Sequence, residues 1–290
     1  MLTIVLGLSA ACLYSLYNLF SQRLLRSVSW MTITLVMFVT GLVLLGVPAL
    51  LVDGLPFDDG ELVDLGLAAL GGLLYTMATV TFLLALRVGK LSIVVVLACL
   101  DGAFAAAISI AMGETLSAVA AAGLVLAAGG GLLAAAEHDD ESAADEGDGR
   151  RRWRFAAGAG LALLCGAAMA GVFISYGQID AFSPFTTVTV ASLAGLVVMI
   201  PVAAAHRTLM PPRGRAAAVV GVSVLDMVAF LAGSAALAIG PVSVASVLQA
   251  QTATVSTVLG LAVVRERPAW WQTLGVGLTI VGVSLLAWAM

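Results

Sequence analysis

The sequence predicts an all-α polytopic membrane protein whose ten transmembrane helices form two inverted five-helix repeats. Three observations carry this expectation. Hydrophobic residues make up 61% of the 290 and charged residues only 10%, far from the balance of soluble domains. Apolar stretches long enough for a bilayer core of about 30 Å, which takes about 20 helical residues, recur along the whole chain. Short motifs of the first half return in the second.

The ten spans are expected at 2–22, 30–52, 62–86, 91–112, 116–136, 155–178, 183–206, 215–239, 242–264 and 269–289. Barrel strands would alternate apolar and polar residues, whereas these runs are continuous and rich in Leu, Ala, Val and Gly. Helices that satisfy their own backbone fit them better. The first run has no basic n-region, so it reads as a retained helix. Cys12, Cys99 and Cys165 each lie in an apolar run without CxxC spacing or a neighbouring His, which makes them packing residues and gives no metal site.

Seven of the seventeen acids sit between Glu137 and Gly149, a composition that stays solvated. This divides the chain into a first repeat at 1–136, a charged cytoplasmic linker at 137–154 and a second repeat at 155–290. The linker ends in RRRWR, suited to anionic lipid headgroups or to ordinary anchoring on the cytoplasmic side.

The halves align across this linker. Leu86, Gly89 and Ser92 match Leu237, Gly240 and Ser243 at a shift of 151, and Glu114, Gly123 and Gly130 match Glu266, Gly275 and Gly282 at 152. One inserted residue reconciles the two shifts. Five helices is an odd number, so the second copy enters the membrane from the opposite side, an inverted repeat of the kind common in secondary transporters. All 13 Lys and Arg residues fall on the linker's side. The opposite loops carry Asp53, Asp58, Asp59, Glu61 and Asp180. The basic side is cytoplasmic, which puts both termini outside in a plasma or inner membrane.

The duplicated block, ALRVGKLS and ALAIGPVS each followed by an apolar helix, a terminal Glu and a Gly-bearing helix, resembles the ten-helix EamA type of the drug/metabolite transporter superfamily. The resemblance covers nearly the whole chain and implies a secondary transporter, often an exporter of metabolites or toxic compounds. In two respects the sequence departs from what it implies. Small relatives that expel cationic drugs carry a glutamate in the first helix, where this chain has Tyr14, Tyr17 and Asn18 and no acid. Many ten-helix relatives are thought to keep their termini in the cytoplasm, against the charge distribution here.

An ionised Asp at the centre of a membrane helix costs about 2.5 to 3.5 kcal/mol, so it faces the bundle interior or a wet cavity. Asp101 and Asp226 are the two acids this deep. Helical steps from Asp101 reach Ala98, Ala105 and Ser109, and those from Asp226 reach Ser223, Ala229 and Gly233, small faces on which helices approach closely. Each Asp is a candidate for binding substrate or a coupling proton, or else an interhelical tie. At the repeat shift Asp226 corresponds to Tyr75. Two further polar stripes are candidates: Tyr14, Asn18 and Ser21 with Tyr17 beside them, and Ser246, Gln249, Thr252 and Ser256. Glu114 and Glu266 sit at helix junctions and are expected to cap the helix that follows.

No nucleophile and base pair, metal cluster or phosphate loop is legible, and basic surface is too sparse for nucleic acid, so neither an enzyme nor a cofactor is expected. The expected partners are a small molecule, the bilayer and a coupling proton. Substrates should be cationic, zwitterionic or neutral, because the interior offers two carboxylates and no base. A divalent-cation carrier using both aspartates, or a membrane scaffold that transports nothing, are the alternatives. A reporter active only in the cytoplasm should be silent when fused after Met290 and active when placed in the linker; the reverse result overturns this orientation.

Overall fold

The computed structural model describes residues 1–54, 62–88, 94, 97–135, 148–208, 210–212, 214–256 and 270–289. These residues form helices and no strand. In chain order they are α1 (Leu2–Leu24), α2 (Trp30–Val52), α3 (Leu62–Val88), α4 (Asp101–Ala111), α5 (Ala118–Ala135), α6 (Asp148–Tyr176), α7 (Pro184–Ala205), α8 (Ala216–Ile239), α9 (Val242–Ala250) and α10 (Trp270–Ala289). Six of them, α1, α2, α3, α7, α8 and the Ala156–Tyr176 part of α6, are long and apolar enough to cross a membrane by length and composition. Lys90, Ser92, Arg213, Glu266, the loop acids Asp58, Asp59 and Glu61, and residues 137–147 of the expected linker lie outside the described residues.

Local chemistry sets the helix ends. Ser29 caps α2 by accepting the Met31 amide at 3.3 Å, and Pro184 begins α7, where a missing N–H costs nothing. Two acids of the α2 and α3 ends hold the loop after α6: Asp64 accepts the amides of Asp180 and Ala181, and Asp53 accepts that of Ser183.

The structure differs from the expected spans in two ways. Helix α6 already begins at Asp148, so the end of the expected linker is helical. The expected spans at 91–112 and 242–264 are not continuous. The first turns at Cys99–Leu100 before α4 starts at Asp101, and the second turns at Gln251 before residues 252–256 resume the helix. The two breaks fall at corresponding positions of the two halves.

Packing follows small residues rather than amphipathic stripes, as it must where lipid and side chain are equally apolar. Helix α5 packs on α10, α2 on α7 and α4 on α9; α3 packs on α6 as α1 does on α8, α3 on α7 as α2 does on α8, and α4 on α6 as α1 does on α9. Exchanging the first five helices for the last five leaves this set unchanged. The α5–α10 contact is antiparallel and built on the glycines that betrayed the repeat. A Cβ on Gly123 would stand 2.9 Å from the Gly282 carbonyl oxygen, and one on Gly130 would stand 2.7 Å from that of Gly275. Gly41 of α2 likewise lies against Ser192 of α7, its own repeat counterpart.

Gly130→Val should therefore destabilise the protein by about 1 to 3 kcal/mol, the usual range for overpacking. Gly129→Val, at a position where a Cβ meets nothing within 4 Å, should be tolerated. Thermal unfolding of both variants in detergent checks the contrast, and equal melting temperatures would contradict it.

Candidate functional site

A cavity of about 90 Å³ lies at mid-length of α1, α3, α6 and α8, beside the breaks preceding α4 and following α9. All eight residues singled out from the sequence line it: Tyr14, Tyr17 and Asn18 from α1, Tyr75 from α3, Asp101 from α4, Asp226 from α8, Gln249 from α9, and Thr252 just beyond. Of the same polar stripes, Ser21, Ser246 and Ser256 do not line it. Ser21 bonds back to the Asn18 carbonyl, and Ser246 is buried between the halves, 3.3 Å from the Gly102 carbonyl oxygen. No Lys, Arg or His is among the described residues of the lining.

Asp226 is only 1% exposed. Its Oδ2 accepts the Tyr75 hydroxyl at 2.6 Å, across 151 residues of sequence. The residues matched by the repeat are thus in direct contact, which places them where the two halves meet. The Tyr75 ring is held by the stacked Phe230 ring, with centroids 3.9 Å apart, and by the edge of Phe38 at 6.3 Å. The buried hydroxyls of Tyr14 and Tyr17 lie within electrostatic reach of Asp226, that of Tyr14 beside the Tyr75 hydroxyl and that of Tyr17 without a hydrogen-bond partner among the described residues. Gln249 donates through Nε2 to the carbonyls of Gly233 and Ala245 at 3.4 Å, its amide lying over the Cβ-free surface of Gly233.

Asp101 sits not within a continuous helix but at the first residue of α4. The first helical bond of α4 runs from the Phe104 amide to the Leu100 carbonyl, so the amides of residues 101–103 form its open N-terminus. The Gly102 amide donates to Asp101 Oδ1 at 2.6 Å. A carboxylate is stabilised there by the partial positive charge of the helix end.

The lining is paired across the repeat. At the shift of 151, Tyr14 corresponds to Cys165, Asn18 to Met169, Tyr75 to Asp226, Ala98 to Gln249, Cys99 to Ala250 and Asp101 to Thr252, and all twelve line the cavity. The sequence reading missed Cys165, Met169 and Ala98 as lining residues, although applying the shift to Tyr14, Asn18 and Gln249 would have found them. It also missed Gln251, which sits at the second break. Gln251 donates to the Ala127 and Val247 carbonyls at 3.1 Å and accepts from Thr254 at 3.0 Å.

Glu114 does not cap the helix that follows it. Its carboxylate accepts the hydroxyls of Ser109 and Ser243, together with the Ser243 amide at 3.3 Å, at the start of α9 in the other half. Glu114 of one copy of the duplicated block and Ser243 of the other are therefore partners across the halves. One half alone could not show this.

Residues 1–136 and 156–288 match the model of the EamA-like transporter family. The stretch between the two matches contains the whole of the expected linker at 137–154. A solved structure, titled only as the crystal structure of a protein, is 17% identical and superposes with a TM-score of 0.74 over 99% of this chain and 98% of that one. That likeness is one of fold. No curated protein matches the chain.

Proposed function

As the chain belongs to the EamA-like transporter family, and is thus a multi-pass membrane transporter of the drug/metabolite type, we propose that it is a secondary active exporter working by alternating access between two inverted repeats. Support for the inversion comes from the antiparallel α5–α10 contact and from helix pairs that map onto themselves when the halves are exchanged. In such proteins the substrate sits near the midplane at the repeat interface, beside discontinuous helices. The observation that carries the reading is the cavity itself. It lies beside two matched helix breaks, is lined by residues paired across the repeat, and holds two carboxylates and no described base.

The substrate is a cationic, zwitterionic or neutral small compound, since a net anion would bring charge that the lining does not compensate. Movement is driven by an ion gradient, with a proton on Asp226 as the coupling ion. The Tyr75 hydroxyl that Asp226 holds in this state is the partner exchanged when substrate or proton arrives. The protein resides in the plasma or inner membrane with its basic loops in the cytoplasm and both termini outside.

A screen of amines, amino acids and dyes by thermal stabilisation identifies a ligand, because a compound bound only to the folded state raises the melting temperature. With that compound in reconstituted vesicles, Asp226→Asn should abolish accumulation driven by a proton gradient while folding is retained. Asn keeps the acceptor for Tyr75 but exchanges no proton. Asp101→Asn should do the same. Accumulation at the original rate by both variants would make the carboxylates structural and reject this mechanism.

A further inference from the structure

We propose that this cavity selects small organic ammonium ions and rejects amino acids, because the chain's own Asp101 occupies the place where a substrate carboxylate would bind. The proposal rests on the transport reading above and narrows it to a substrate class.

A substrate carboxylate inside a membrane needs a basic side chain or the free amides of a half-helix N-terminus. The described lining offers no basic side chain. Two helix starts border it, and at that of α4 the Gly102 amide is already given to Asp101. The corresponding break after α9 is equally engaged from within: the Ala253 amide faces the Cys99 sulfur, and the Thr252 hydroxyl turns back to the Gln249 carbonyl at 2.8 Å. An entering carboxylate would thus meet Asp101 and Asp226 with nothing to compensate it. The end of α4 that could have received it adds to the repulsion.

An ammonium group meets the opposite situation. Asp226 and Asp101 both face the cavity. The buried hydroxyl of Tyr17, without a hydrogen-bond partner among the described residues, and that of Tyr14, beside the Tyr75 hydroxyl, are neutral acceptors for the N–H groups that the carboxylates leave over. The faces of Tyr75, Phe82 and Phe173, with the Met169 thioether, suit the cation and an apolar body.

The test uses compounds that differ in one group: isoamylamine, leucine, which adds only a carboxylate, 4-methylpentanoate, which has the carboxylate and no amine, and neutral isoamyl alcohol. For the unaltered full chain saturable uptake and mutual competition are measured in proteoliposomes; for the Asp101 variants, which are expected to accumulate nothing, affinity is read from ligand-dependent thermal stabilisation in detergent. Isoamylamine should be bound, leucine about tenfold to a hundredfold more weakly, and 4-methylpentanoate not at all. Asp101→Ala bares the α4 N-terminus and should shift the preference toward leucine by about tenfold or more. Asp101→Asn keeps the acceptor for Gly102, and should weaken isoamylamine by about tenfold with isoamyl alcohol unaffected; it serves where the Ala variant does not fold. Gradient-driven uptake of leucine at an affinity equal to isoamylamine's overturns the selectivity while the transport reading stands. Unchanged isoamylamine affinity in Asp101→Asn, or an unchanged preference in Asp101→Ala, overturns it as well. A folded protein that takes up none of the four under any gradient sinks both this proposal and the transport assignment of the cavity.

Discussion

A backbone that leaves its helix in the middle of a bilayer finds no lipid to bond with, so every break there must be satisfied by protein or by the water of a cavity. Among the described residues there are two helix breaks, before α4 and after α9, and much of the described interior is arranged around them. Gly166 of α6 lets its helix approach the first break closely enough that a Cβ would stand 3.0 Å from the Ala98 carbonyl oxygen. Gly102 does the same between α4 and α9. Ser15 donates to the Thr252 carbonyl at 2.9 Å, and Gln251 ties the second break to α5. The small residues that seem featureless in the sequence are what allow the backbone of one helix to be served by its neighbours.

The same constraint explains why the polar groups are concentrated. Interrupting a helix exposes amides, and Asp101 and Thr252 stand at the first position after each interruption. Their identities differ although their places correspond, as do those of Tyr75 and Asp226. A duplicated scaffold fixes where a side chain can reach the cavity, and divergence of the two copies then supplies an acid on one side and a hydroxyl on the other. The Tyr75–Asp226 bond is the direct consequence: counterparts on an axis can touch each other, and a phenol with a carboxylate is a pair that satisfies both.

Much of this was legible beforehand. Deep acids are costly enough to turn toward the bundle interior or a wet cavity, and Asp101 and Asp226, candidates on that ground, both line the cavity. Helical spacing added Tyr14, Asn18, Gln249 and Thr252. The breaks were not read, because hydropathy runs through them without Pro, and the turn at Gln251 keeps nearly helical dihedrals. The available signal was subtler: an Asp and a Thr, residue types that favour helix starts, at matching positions 101 and 252 of the two repeats. Glu114 was misassigned for a different reason. Its partner Ser243 lies 129 residues away in the other half, and capping rules written for neighbours in sequence do not reach that far.

The cavity nevertheless departs from the symmetry of its frame. Tyr17, Ala78, Thr79 and Phe82 line it from the C-terminal parts of α1 and α3, whereas their counterparts Ala168, Ala229, Phe230 and Gly233 do not. On that second side the space is filled. Phe230 stacks on Tyr75 and meets the tilted Tyr176 ring at 5.6 Å, and Gln249 covers Gly233. The void is therefore displaced from the contact of the two halves toward the ends of α1 and α3, which lead to Arg23 and Arg87. Two similar halves that pack differently about a shared site are what alternating access requires, since the opposite state needs only that each half adopt the packing of the other. Under that reading the Phe230–Tyr75 stack closes one side here. Thr79, its counterpart, lines the void instead and offers no ring to stack, so the two repeats would close with unlike side chains at one repeat position.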